Sequence, residues 1–210
     1  MATPNAEERS LTVEEYVRFE DASLERHEYV AGRVYAMTGG SARHVLIVGN
    51  ILGAVRRAVR GGPCLGFASD LRLRVSADTF YYPDVMAVCG PIDLEAPVVE
   101  RPSLVVEVAS PSTRRVDRGE KLLAYRGVET LRAYLLVEQD QRLVEHHWRD
   151  ESGAWCHETV TDASGGRIST PAPPLLLTLD EIYDGVPVPP VVAPPGPRRV
   201  RETAAAEPAP

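Results

Sequence analysis

Apolar positions along this chain change period several times, and each change marks an element. Between positions 41 and 63, Val45, Ile47, Val48, Ile51, Leu52, Val55 and Val59 fall at near-helical spacing. Ser41 stands before them as a cap, and Gly61-Gly62-Pro63 follows as a stop. Thr12 to Glu20 reads as a shorter helix, because Thr12 with Glu15 three residues later makes a capping box. Glu28–Met37 looks like a strand pair turning at Gly32, and Thr38-Gly39-Gly40 is a loop. Strands are expected at Cys64–Ala68, Asp70–Val75, Tyr82–Cys89 and Leu104–Ala109, with a Pro- and acid-rich loop from Gly90 to Pro102.

After Ser110-Pro111-Ser112-Thr113 a helix should run from about Arg114 to Arg126, stopped by Gly127. Ala133–Glu138, Leu143–His147 and Ala154–Val160 read as strands joined by polar turns, and Leu177–Tyr183 as a short closing helix. These elements sum to an α/β (α+β) domain, a mixed sheet flanked by helices, spanning 11–186. Residues 1–10 should form a flexible N-terminus, and 187–210, rich in Pro, Ala and Arg, a disordered tail.

The 210 residues fit one domain plus appendages, and 44% hydrophobic content is enough for a core. No apolar run nears the roughly 18 residues needed to cross a bilayer, and the polar start lacks a secretory h-region. Cys64, Cys89 and Cys156 are dispersed and form no C-x-x-C pair, which argues against a disulfide framework or a cysteine zinc site. A reducing cytoplasm is the expected home. A net charge of −7 counts against a module that coats nucleic acid, though not against an enzyme with a local basic groove. Of 23 basic side chains only Lys121 is a lysine. A compact ammonium, whose pKa can fall on burial, does work that guanidinium cannot, so the surviving lysine is a candidate for chemistry, with chance survival as the alternative.

Leu104-Val105-Val106-Glu107-Val108-Ala109 is an apolar strand interrupted by one carboxylate. The pattern signals burial on both faces, where a charge must be paired, neutralised or metal-bound. A salt bridge to an arginine and a metal ligand are both open for Glu107. Asp84, in Tyr82-Pro83-Asp84-Val85, either caps a strand entry or supplies a second ligand. Two carboxylates on neighbouring core strands suit a hard cation such as Mg²⁺. Asp117, Lys121 and Tyr125 are spaced i, i+4, i+8 and share one helical face, as a surface ion pair or as a face over the strand ends. His44, near Ser41, reads as a capping or packing histidine. His146 and His147 point to opposite strand faces, and Arg114, Arg115 and Arg118 are the arginines expected to contact phosphate.

The ordered series Arg26-His27-Glu28-Tyr29-Val30-Ala31-Gly32-Arg33-Val34-Tyr35, Tyr82-Pro83-Asp84-Val85, Val106-Glu107-Val108-Ala109-Ser110-Pro111-Ser112-Thr113, then Asp117, Lys121 and Tyr125, resembles the Uma-two family of endonucleases. That family lies in the restriction-endonuclease-like PD-(D/E)xK superfamily, and the resemblance covers roughly Leu11 to Ile182. It implies a restriction-endonuclease-like core with Asp84 and Glu107 as ligands of Mg²⁺ (or Mn²⁺), Lys121 as a catalytic cation, and Glu28 completing the acidic cluster. The superfamily lysine normally stands two residues after the glutamate. Here that position is Ala109, and the resemblance places the lysine on the next helix, at Lys121.

The expected activity is metal-dependent hydrolysis of phosphodiester bonds in nucleic acid, DNA first, with no membrane partner; a homodimer is compatible. The rival expectations are a non-cleaving nucleic-acid or partner-binding module on the same scaffold, a structural dimer with buried ion pairs, and hydrolysis of a smaller phosphate ester.

Overall fold

The computed structural model describes residues 10–37, 39–110, 113–191 and 200–201. The flexible N-terminus expected at 1–10 and most of the tail expected at 187–210 lie outside them. Within the tail span, the Arg142 amide donates to Pro189 O, and Val200–Arg201 forms a short strand.

Both N-terminal caps form as the sequence implies. Thr12 and Glu15 close a capping box at the start of α1 (Val13–Ala22), and Ser41 accepts from the His44 amide at the start of α2 (Ala42–Ala58). The turn at Ala31-Gly32, where both residues have positive φ, joins β1 (His27–Val30) to β2 (Arg33–Ala36). Next come β3 (Cys64–Ala68), β4 (Arg72–Ser76), β5 (Thr79–Tyr81), β6 (Val85–Cys89), β7 (Val98–Val99) and β8 (Pro102–Ala109). The C-terminal half supplies β9 (Ala133–Glu138), β10 (Leu143–Arg149), β11 (Trp155–Thr161), β12 (Arg167–Pro171), β13 (Pro174–Thr178) and β14 (Val200–Arg201).

The central sheet has seven strands in the order β14-β11-β10-β9-β8-β6-β3. It is mixed, because β8 and β9 pair in parallel while its other pairs are antiparallel. A second sheet runs β2-β1-β5-β4-β7. Side chains of β8 alternate between two cores. Leu104, Val106 and Val108 join Ile47, Ile51 and Val55 of α2, while Val105 and Ala109 join Leu73, Tyr81 and Tyr125 on the opposite face. The central sheet is thus covered on both sides, as a near-continuous apolar run requires.

Three expectations need correction. The strand expected at Tyr82–Cys89 begins only at Val85, and Thr79–Tyr81 pairs in the other sheet. Pro83 has no N–H to give a ladder, so Tyr82-Pro83-Asp84 is the crossing between sheets. The closing helix is shorter than expected, because Leu175 and Leu177 alternate inward as strand β13; only Leu179–Ile182 is helical (α5), capped by Thr178 with Glu181. Cys64 and Cys89, taken as unpaired, stand opposite each other in the β3–β6 ladder and form a disulfide, leaving Cys156 free and buried. Separation along a chain does not measure distance once antiparallel strands close it. Among the described residues, no helix is long and apolar enough to cross a membrane.

Tyr183 ties the C-terminal unit to the sheet end nearest the site. Its hydroxyl lies 2.7 Å from Glu138 O and 3.0 Å from Leu143 O, and accepts from the Leu143 amide. Tyr183→Phe should leave these buried groups short of a partner and cost about 1–3 kcal/mol in denaturant unfolding. An unchanged midpoint would show that the hydroxyl carries no such load.

Candidate active site

Glu107 shares the face of Val105 and Ala109, beneath the helical segment that follows β8. That segment is α3 (Arg114–Val116), a π-helical turn (Asp117–Lys121) and α4 (Leu122–Arg126). Asp117, Lys121 and Tyr125, expected on one face, are all buried against the strand. The Tyr125 hydroxyl donates to Glu107 Oε1 at 2.7 Å, and Lys121 Nζ donates to the same oxygen at 3.2 Å. Among the described residues nothing pairs with Oε2. Lys121 Nζ also lies 2.7 Å from Glu28 Oε1 on β1 and 3.6 Å from Asp117 Oδ1.

Asp84 enters from the sheet crossing. Its Oδ2 accepts from the Val108 amide at 2.7 Å, beside Glu107, and its Oδ1 lies 3.0 Å from His44 Nε2. The four residues expected to form the site, Glu28, Asp84, Glu107 and Lys121, therefore line one cavity of about 520 Å³. The cavity is assembled from two sheets and a helix.

Three tyrosines wall the cluster. Tyr81 and Tyr125 meet edge to face at 5.5 Å, Tyr125 and Tyr134 lie 5.2 Å apart, and the Lys121 ammonium stands 5.2 Å from the Tyr81 ring centre. Such walls exclude water and strengthen every charge inside. Burial drives the Glu107 carboxyl up from 4.5 to about 8; Lys121 works against that rise, while the charges of Asp84, Asp117 and Glu28 add to it. Burial also raises Asp117, against the pull of Lys121. For Lys121 burial alone would lower the pKa, but Glu107, Glu28 and Asp117 outweigh it and hold the ammonium well above its usual value. Burial can lower the pKa of an ammonium, but here the carboxylate neighbours outweigh it, and what remains of the sequence reading is the compact cation.

His44 was read as a cap or packing residue, and it is instead a wall of the cavity in contact with Asp84. The hydrogen bond to Asp84 raises its pKa, although burial works the other way. No local sequence signal marks it, since its partner is 40 residues away. Arg114 and Arg118, expected to meet phosphate, are held by carboxylates: Arg114 by Glu138 and Asp140, and Arg118 by Glu138 and Glu145.

Among the described residues, no three His, Cys, Asp or Glu side chains converge as a ready-made metal cage. The donor set still fits a hard divalent cation. It is all carboxylate oxygen, it crowds four acids around one lysine, and Glu107 Oε2 is unpartnered. Mg²⁺ needs only one or two protein carboxylates beside water and phosphate.

This arrangement has the restriction-endonuclease-like fold. A solved structure described as "a putative nuclease belonging to DUF820" from Anabaena variabilis superposes with a TM-score of 0.70 at 16% identity, covering 84% of this chain and 99% of that one. The chain belongs to the Uma2 (Uma-two) family, described as "Putative restriction endonuclease", whose model matches residues 13–180. Two relatives from Synechocystis sp. are similar along most of their length. "Uncharacterized protein slr1290" is 33% identical over 88% of this chain and 97% of its own, and "Uncharacterized protein sll1609" is 30% identical over 69% and 84%.

The raised Glu107 carboxyl has a consequence for stability. A carboxyl that titrates higher in the folded than in the unfolded chain favours folding only while protonated. That contribution is complete below about 4.5 and is lost as pH rises through about 8. In EDTA, the wild-type Tm should therefore fall relative to Glu107→Gln between about pH 5 and about pH 8.5. Parallel Tm curves for the two proteins would refute the assignment.

Proposed function

We propose that this chain is a divalent-metal-dependent endonuclease that hydrolyses phosphodiester bonds of DNA, with Asp84 and Glu107 as the metal ligands. The observation that carries the reading is the meeting of Glu28, Asp84, Glu107 and Asp117 with the chain's one lysine in a single cavity on the core strands. Such a crowd of buried acids must be protonated, paired or balanced by a cation, and one lysine does not pair them all. Membership of a nuclease family and the nuclease-like fold supply the context for the substrate.

The residues divide the work. The Val108 amide and His44 hold the two oxygens of Asp84 in a set direction, and Tyr125 and Lys121 hold Oε1 of Glu107. When bound, the cation supplies Lewis-acid polarisation of a phosphate oxygen and lowers the pKa of a bound water. Lys121, kept protonated, presents a fixed positive charge to the phosphate as negative charge builds there, and it acts as a donor rather than a base. Glu28 and Asp117 keep the ammonium in place from two sides.

A plasmid cleavage assay with Mg²⁺ or Mn²⁺ tests the reading. Cleavage should stop in EDTA and fall about a hundredfold or more in Asp84→Asn and in Glu107→Gln. Full activity in either variant, or in EDTA, would remove the metal from the account. Lys121→Arg should be nearly as damaging as Lys121→Met, because a planar guanidinium cannot occupy the buried point-charge position among three carboxylates. Near-normal cleavage by Lys121→Arg would mean that any cation there suffices. Mn²⁺ must displace the Glu107 proton, so its affinity by calorimetry should rise with pH up to about 8. A flat pH profile would place the ion elsewhere.

A further inference from the structure

Resting on the nuclease reading above, we propose that the strand entering the cavity is unpaired, so that the substrate is single-stranded nucleic acid or the looped-out part of a duplex. Depth is the first reason. The side chains of Glu107 and Lys121 are only 6% and 8% exposed, at the floor of a space of about 520 Å³. Volumes of roughly 300–1,000 Å³ enclose one ligand of small-molecule size. A duplex carries its phosphates on the outside of a rod that stays stiff over about 150 base pairs. To lower one phosphate to such a floor while both neighbours remain paired, it must bend or distort locally, which works against its stiffness. An unstacked strand meets no such resistance, and enzymes that work on recessed sites take nucleotides in that form.

The wall beside the acids is the second reason. Tyr35 stands directly opposite Glu28 in the β1–β2 ladder, so its ring lies on the same face as the carboxylate that holds Lys121. β2 is the edge of its sheet, and Tyr35 and Met37 are 47% and 40% exposed while lining the cavity. A half-exposed aromatic at the mouth of a phosphate-handling cavity is a platform on which an unpaired base can stack, and stacking of this kind is tolerant of sequence.

Charge is the third reason. Proteins that grip duplex DNA neutralise several phosphates at once with lysine and arginine. Among the described residues lining this cavity the one arginine is Arg43, which makes no ion pair there. Arg114 and Arg118 are already committed to Glu138, Asp140 and Glu145. One free guanidinium beside one stacking ring suits a contact of one or two nucleotides.

The test uses the full chain and one labelled DNA of about 30 nucleotides in three forms: single strand, blunt duplex, and duplex with an unpaired internal loop. With Mn²⁺, the single strand should be cut at least about tenfold faster than the duplex, and cuts in the third form should fall within the loop. A duplex cut as fast as the single strand overturns the proposal and leaves the nuclease reading standing. If none of the three is cut, the nuclease reading fails, and fluorescence anisotropy with Mn²⁺ present still decides the preference, which must favour the single strand. Tyr35→Ala should raise KM for the single strand about tenfold with kcat little changed, and Tyr35→Phe should restore it. A loss confined to kcat, or an equal loss in Tyr35→Phe, would rule out stacking.

Discussion

Taking a carboxylate out of water into the middle of a fully covered sheet costs several kcal/mol unless other groups repay the lost solvation. Glu107 meets that condition at the centre of β8, and the surroundings are organised around it. An ammonium and a phenol reach one of its oxygens, and the lysine is anchored in turn by Glu28 and Asp117. Charge is still not balanced, because three further acids face one lysine and one histidine. Burial first, and the neighbouring acids after it, hold the Glu107 and Asp117 carboxyls above their ordinary range. That imbalance is what supports the proposal that a cation belongs in the cluster.

The backbone shapes that deliver these groups explain why they come from such distant parts of the chain. Tyr82-Pro83-Asp84 crosses from one sheet to the other, so Asp84 sits at a corner where its carboxylate can turn back onto the Val108 amide. β1 belongs to the second sheet, yet its Glu28 reaches the same lysine. The π-helical turn puts an extra residue into the coil at Asp117–Lys121, where such bulges often accompany function. Of the elements that meet at this seam, β1 is anchored through Tyr29 in one core, while the Glu107 face of β8 and the helix above it share another through Val105, Ala109 and Tyr125.

How much of this the chain disclosed beforehand follows from what kind of signal each feature leaves. A carboxylate inside an apolar run, a lone lysine and a tyrosine at helical spacing are local anomalies, so Glu107, Lys121 and Tyr125 were legible as candidates. Asp84 looks like an ordinary turn residue and gained weight only from its pairing with Glu107, while Glu28 looks like an ordinary strand residue and only the ordered series of motifs pointed to it. His44, Tyr81 and Tyr134 were missed because each gains its role from a partner far along the chain. The same limit hid the Cys64–Cys89 bond, which depends on strand register. Arg114 and Arg118 misled for the reverse reason. Their number and position suggested free phosphate contacts, whereas Glu138, buried at the end of β9, draws both into a network.

That network bears on how an acidic protein meets a polyanion. With a net charge of −7, long-range attraction cannot be what brings nucleic acid to this surface, and at physiological salt charges farther apart than about 8 Å are largely screened anyway. Attraction must then be short-ranged and local. Near the cavity the charges that would repel phosphate are the same carboxylates that a divalent cation neutralises, so the local sign of the field depends on metal occupancy. In the proposed reading the cation would do more than take part in hydrolysis. It would turn a pocket that rejects phosphate into one that admits it, and substrate binding would be coupled to metal binding through the Glu107 cluster itself.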